Sequence, residues 1–334
     1  MVETEKCING RSNLDMSVTV VIPAYRAATY IERAVRSVLT QSDVEVSVVV
    51  VEDGIYDNTA EIVSRITGPV RLIQNEKNAG AQSARNQGLA VVETAAVMFL
   101  DSDDFLVGPF LLGALGALAR ANADMVFGIR ASASSNRPEP HSYRIPKYAE
   151  SNLEVACRWL RGASGPSPCG IVWRTSSIKK IGGWNPLMSR NQDGEIVLRA
   201  MRHGLLLAQS FIGAGVYWSH EGARISKRRD SGSFECQVVI EELIRDWVSE
   251  SDSEELSRAL DVFRLRVAYQ AYNVGYVDLG KFWQQKLTSN IKEICKASPS
   301  DTKAVRLWLL CWKFFGIIRG GQIAQLLINL KRYR

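Results

Sequence analysis

Between residues 18 and 129, five short apolar runs alternate with segments of helical period. The runs are "VTVVIPAY" (18–25), "VEVSVVVVED" (44–53), "VRLIQN" (70–75), "AAVMFL" (95–100) and "ADMVFGI" (123–129). They are rich in β-branched residues and short enough to be buried strands. The intervening segments, 27–41, 57–67, 79–92 and 109–122, carry apolar residues at helical spacing, cap-type residues at their starts, or small residues that allow close packing. Regular alternation of this kind predicts an α/β fold, a mainly parallel sheet with helices on both faces. In such sheets ligands bind beyond the carboxyl ends of the strands. Pro23–Tyr25, Glu52–Asp53 and Asp101–Asp104 fall at three of those ends.

Past residue 130 the pattern loosens. The stretch 132–146 holds three prolines and reads as a loop. A helix is expected over 151–162, then a strand, a short helix and a glycine turn over 169–186. Another helix is expected over 191–204, with Asp193 in its first turn, and a strand entering a basic loop over 216–232. From about Ser233 the pattern is helical, with breaks at Gly280 and Gly320–Gly321. The expected division is an N-terminal extension (1–16), a catalytic domain (17–230) and a C-terminal helical region (231–334).

Composition narrows the class. A chain of 334 residues, 46% hydrophobic and 23% charged, can bury a proper core. Its six cysteines form no C-x-x-C pair, which argues against a zinc ribbon or a disulfide framework and suits a reducing compartment. The polar start "MVETEKCINGRSNLD" is unlike a signal peptide, and no run of 18 uncharged apolar residues marks a membrane span. A cytoplasmic location is expected.

Five motifs follow one another: "VVIPAY", "VVVVEDGIYDNT", "NAGAQSARNQG", "FLDSDDF" and "GGWNP…NQDGEIVLR". Over residues 17 to 222 the chain resembles the family-two inverting glycosyltransferases of bacterial cell-surface polysaccharide synthesis. The resemblance implies a GT-A fold, with a Rossmann-like, mainly parallel sheet, plus a C-terminal helical region. It implies transfer, with inversion, of a sugar from a nucleotide-diphosphate sugar to a glycan or lipid-linked glycan.

The resemblance also assigns roles. Pro23, Ala24 and Tyr25 line the nucleotide base, and either Glu52 or Asp53 hydrogen-bonds its edge. Ile55 stands where the family often has serine, which blurs the choice of base, and Asp57 or Asn58 caps the next helix. Arg85 lies beside the base-binding acid and orders that pocket. Asp103 is the main ligand for Mn²⁺ or Mg²⁺, hard cations that bind through one or two carboxylates plus substrate phosphates. Asp101 contacts the ribose or the ion, Asp104 supports, and His220 lies near metal or phosphate. Arg224, Lys227, Arg228 and Arg229 are lid candidates, each equally well read as part of a solvated loop. Asp193 is the general base; the family has an acid pair here, and this chain has Gln192 before its single acid. Glu195 is its alternate on the acceptor side, where Trp184 is either a sugar-stacking surface or a core residue.

A sugar nucleotidyltransferase normally has a Gly-rich phosphate loop, and "VVIPAYRAA" has no glycine. A non-catalytic nucleotide-sugar-binding relative is disfavoured by the presence of both Asp103 and Asp193. No Asp or Glu follows Asp301, while basic residues and Trp, Phe and Leu continue to the end. Segment 303–334 therefore reads either as an interfacial helix on the inner face of the cell membrane or as a helix packed on the protein. Its cations interleave with long aliphatics and form no nucleic-acid module, so no nucleic-acid partner is expected.

Overall fold

In the computed structural model the described residues are 16–162, 167–220 and 231–288. They fall into two compact units, one of 16–152 with 167–220 and one of 153–162 with 231–288.

The first unit opens with β1 (Ser17–Ala24), α1 (Ile31–Leu39), β2 (Glu45–Asp53), α2 (Thr59–Ser64), β3 (Val70–Asn75), α3 (Ala81–Ala90) and β4 (Ala96–Phe99). It continues with β5 (Phe105–Val107), α4 (Phe110–Ala121), β6 (Met125–Phe127), β7 (Arg130–Ser134) and β8 (Arg137–Arg144). After α5 (Asn152–Leu160) come β9 (Ile171–Arg174), α6 (Thr175–Lys180), α7 (Gln192–Arg202), β10 (Leu207–Gln209) and β11 (Ala214–Ser219). Seven strands form the main sheet in the order β10-β6-β9-β4-β1-β2-β3. Only β9 runs antiparallel to its neighbours, β4 and β6. The mainly parallel sheet that the alternation predicts is present.

Burial explains its layers. Val18, Val20 and Ile22 of β1 and Val48 and Val50 of β2 join Ile31, Val35 and Val38 of α1 and Leu111, Leu115 and Leu118 of α4 in one apolar core. On the other face α3 lies so close to β1 that a methyl on Gly88 would strike the Val21 side chain. The small residues of "AGAQSARNQG" serve this approach.

A second sheet has the order β5-β11-β7-β8. Ala131, Ala133, Val216 and Trp218 make its small core. The prolines of 132–146 did not make a loop. Pro138 and Pro140 lie in β8, an edge strand that tolerates missing amide donors, and they fall between the registered partners Arg137 and His141. Gly215 of β11 passes so close to the Cys169 carbonyl that any β-carbon would overlap it.

The second unit is helical: α5, α8 (Ser231–Ser251), α9 (Glu254–Asn273) and α10 (Val277–Gln285). Gly280 does not break a helix as expected. It sits within α10, where a β-carbon would come within 2.6 Å of the Tyr272 ring, and the break falls at Gly275, which has φ +87°. Glu241 is buried here, with Oε1 accepting from Arg264 at 2.5 Å and Oε2 from Lys286 at 2.7 Å. Among the described residues no helix is long and apolar enough to cross a membrane.

Candidate active site

The rim at the carboxyl ends of β1, β2 and β4 is tied together by its own loops. Ala27 donates to Thr59 Oγ1 and Ala28 to Asp57 Oδ2, both at 3.1 Å, joining the turns after β1 and β2. Asp57, not Asn58, serves the start of α2 by accepting from Thr59 N. Burial would raise the Asp57 pKa, but the Thr59 and Ala28 donors and the Arg26 charge bring it below the ordinary aspartate range.

Of the three residues expected to line a base, Pro23 and Ala24 are buried in β1 and Tyr25 is 47% exposed. Its ring meets Tyr56 edge-on at 5.2 Å, and the Arg26 guanidinium lies 5.5 and 5.3 Å from the two ring centres. Arg26 and Tyr56 were not singled out in sequence, where nothing marks which exposed loop side chains will meet. The acids Glu52 and Asp53 are both buried. Asp53 accepts from the Ala79 and Gly80 amides, each at 2.8 Å, and so fixes the entry to α3. Glu52 Oε2 accepts from Gln74 at 2.8 Å, and its Oε1 has no hydrogen-bond partner among the described residues.

Arg85 does not pair with Asp53. Its guanidinium donates through Nη2 to Asp101 at 2.6 Å and through Nη1 to Gln192 at 2.7 Å, and it stacks 4.5 Å over the Trp184 ring. The aspartate after β4 is thereby joined to the first turn of α7. The neighbouring Asn86 clasps Trp184, accepting from its N–H and donating to its carbonyl, both at 2.8 Å. Trp184 is 3% exposed and edge-on to Phe99, so its core reading holds and it offers no open stacking surface. Glu195 is likewise buried, and Arg199 holds it at 2.7 Å while also donating to the Ile181 and Gly183 carbonyls. That arrangement shapes the glycine turn and leaves Glu195 poorly placed as a base.

Asp193, in the first turn of α7, has its pKa raised by burial and by the Asp101 charge, against a lowering from Arg85. Asp103 and His220 come together, with Oδ2 to Nε2 at 3.1 Å and the imidazole stacked on Tyr30. Burial, with Asp101 next, raises the Asp103 pKa. Asp104 is wholly buried and accepts from Trp218 N at 2.8 Å; burial raises its pKa strongly, and Asp101 and Asp103 add to it. Arg33 of α1, not foreseen in sequence, donates to the Asp103 carbonyl at 2.6 Å and stacks 4.0 Å from the Trp218 ring. Its place at helical spacing after Tyr30 was the available signal.

No group of three or more His, Cys, Asp and Glu poised for a metal occurs among the described residues. The donor set nonetheless fits a divalent cation: the Asp103 carboxylate, whose pKa the Asp101 charge raises, and the His220 imidazole supply donors, and phosphate oxygens would complete the shell. The lid candidates Arg224, Lys227, Arg228 and Arg229 and the tail 303–334 lie outside the described residues.

Residues 19–182 match the family model for glycosyl transferase family 2. Succinoglycan biosynthesis protein ExoO of Rhizobium meliloti is 44% identical over 88 residues, 26% of this chain and 25% of that protein. Chondroitin synthase of Pasteurella multocida is 38% identical over 91 residues, 27% of this chain and 9% of that one. The chain thus spans a quarter or less of the length of these relatives. The crystal structure of S. aureus TarS 1-349 in complex with UDP-GlcNAc superposes with a TM-score of 0.61 at 19% identity, covering 94% of this chain and 92% of that one. That likeness is one of fold, and the fold is GT-A.

Proposed function

We propose that this chain, which belongs to glycosyl transferase family 2 through its residues 19–182, transfers a sugar from a nucleotide-diphosphate donor to a glycan or lipid-linked glycan acceptor with inversion. The reading rests on one observation. Arg85 bridges Asp101, at the end of the strand that leads to Asp103, and Gln192, the residue before Asp193. Donor-side acids and candidate base are held as one unit.

In the proposed reaction Asp193 takes the proton of the acceptor hydroxyl. That oxygen attacks the anomeric carbon, and the bond from this carbon to the diphosphate oxygen breaks on the opposite face. The nucleoside diphosphate leaves with the bonding electron pair. Desolvation suits Asp193 to the role, because its carboxylate is a stronger base than an exposed one. Tyr25, with Tyr56 and Arg26, offers a planar rim for the base, and Glu52 or Asp53 its edge contact. Asp103, Asp101 and His220 would hold Mn²⁺ or Mg²⁺, whose charge offsets that of the departing diphosphate. Arg85 and Asn86 keep α7 and the Trp184 turn in place.

Cell-surface polysaccharide is the proposed product class, in keeping with what the named relatives make. The basic, Trp-rich segment 303–334 is proposed to hold the enzyme at the inner membrane face. A melting-temperature screen of nucleotide-diphosphate sugars with and without Mn²⁺ tests the donor assignment. A matching donor raises the melting temperature only when the metal is present, and Asp103→Asn removes the metal dependence. No shift with any donor would sink the reading.

A further inference from the structure

The second sheet has a face that the proposed chemistry leaves unused. Ala131 and Ala133 of β7 turn inward with Val216 and Trp218. By strand alternation Arg130 and Ser132 therefore turn the other way, together with Tyr217 of β11, which registers with Ser132. On β8 the antiparallel partners of these residues are Arg144, opposite Arg130, and His141, opposite Ser132. Directly opposed residues share a face, so two guanidiniums stand side by side.

Like charges directly opposite each other destabilise a sheet. Among the described residues no acidic side chain relieves them. Neither the Arg130 nor the Arg144 guanidinium has a side-chain hydrogen bond or a carboxylate within ion-pair distance among the described residues. The Arg130 guanidinium lies 5.7 Å from the Tyr217 ring. Burial lowers the Arg144 pKa and the Arg130 charge lowers it further, so a bound anion would be favoured electrostatically. Forked guanidiniums match the oxygens of phosphate and carboxylate. Arg130 registers with Gly215 at the start of β11, four residues before Ser219, and the face reaches toward the proposed site through Ser132, which registers with Tyr217 beside the Trp218 amide that holds Asp104. Arg130 packs against Gly170, in the turn that precedes β9.

The geometry points to Arg130 and Arg144, with Tyr217, His141 and Ser132 around them, as an oxyanion-binding face that receives a phosphate or carboxylate borne by the acceptor glycan. Its assignment to the acceptor rests on the transferase reading. The shared chemistry is a repeating anion on a sugar or polyol chain. A neutral glycan lacks what the paired arginines need.

The test is titration calorimetry on the full chain with three polymers: an oligogalacturonate, a poly(glycerol phosphate) and neutral dextran. Binding of either acidic polymer in clear preference to dextran is expected, and the better of the two identifies carboxylate or phosphate as the acceptor's anion. Arg144→Gln, at an exposed edge position, and Arg130→Gln should each weaken that binding about tenfold, the loss of one charge-assisted hydrogen bond. Arg144→Glu places a carboxylate opposite Arg130. It should abolish polymer binding while raising the melting temperature, a pair of effects that damage to the fold would not produce. Equal binding of all three polymers, wild-type affinity in the variants, or equally tight binding of single-stranded RNA overturns the inference. A melting shift with a nucleotide sugar is read in parallel on the wild type. A donor shift without acidic preference rejects this face and leaves the transferase reading standing. Acidic preference without any donor shift does the reverse.

Discussion

Arg85 Nη1 reaches Gln192 Oε1 at 2.7 Å across 107 residues of chain, and the same guanidinium holds Asp101 at 2.6 Å. It is 5% exposed, so the contact is made in a dry setting where geometry counts. Lysine keeps the charge and loses the fork. Arg85→Lys should lower kcat by about a hundredfold, the cost of a small misplacement, while the donor KM changes much less. Equal changes in both would show that Arg85 serves binding and not the placement of Asp193.

Asp193 must be ionised to accept a proton, and burial raises its pKa above the ordinary aspartate range. The acid limb of the kcat profile should therefore sit above about 3.9, the ordinary aspartate value. Asp193→Asn should cost roughly 10²–10⁴ in kcat, leave donor binding in place and remove that limb. Near-normal transfer by the asparagine variant would exclude Asp193 as base.

Burial alone would raise the Glu241 pKa, yet hydrogen bonds from Lys286 and Arg264 and their charges bring it below the ordinary glutamate range. A folded-state pKa below the unfolded one gives stability that is fully present above the unfolded value and lost as pH falls through the folded one. The unfolding free energy should thus be flat near neutrality and decline below about 4.3. In Glu241→Gln that decline should shrink, and chemical denaturation across a pH series measures it.

Gly215→Ala drives a methyl into the Cys169 carbonyl, a backbone atom that cannot rotate away. A loss of about 1–3 kcal/mol in a urea titration is expected. Because β11 carries the Trp218 amide that holds Asp104, donor binding should weaken in the same variant.

The main sheet was legible because a parallel core writes itself as apolar runs: Val18–Ile22 and Val48–Val51 admit no other reading. The rim was legible in residue type but not in pairing. Arg85 was expected beside the base-binding acid, Glu52 or Asp53, yet Asp53 faces the Ala79–Gly80 amides, Glu52 faces Gln74, and the arginine faces Asp101. Trp184 carried two readings because an indole in a glycine turn can face outward or inward, and only the clasp by Asn86 decides between them. The second sheet was half hidden. Prolines in β8 argue for a loop unless one knows that the strand lies at an edge, and edge position is a tertiary fact.

Those prolines have an effect beyond the native monomer. Positions 138 and 140 supply no amide hydrogen, so a foreign strand laid along β8 finds gaps where it needs donors. Newly made chains crowded together are thereby deprived of a template for pairing edge to edge, and the prolines add to the protection that the charged residues Arg137, Glu139 and Arg144 give the same strand.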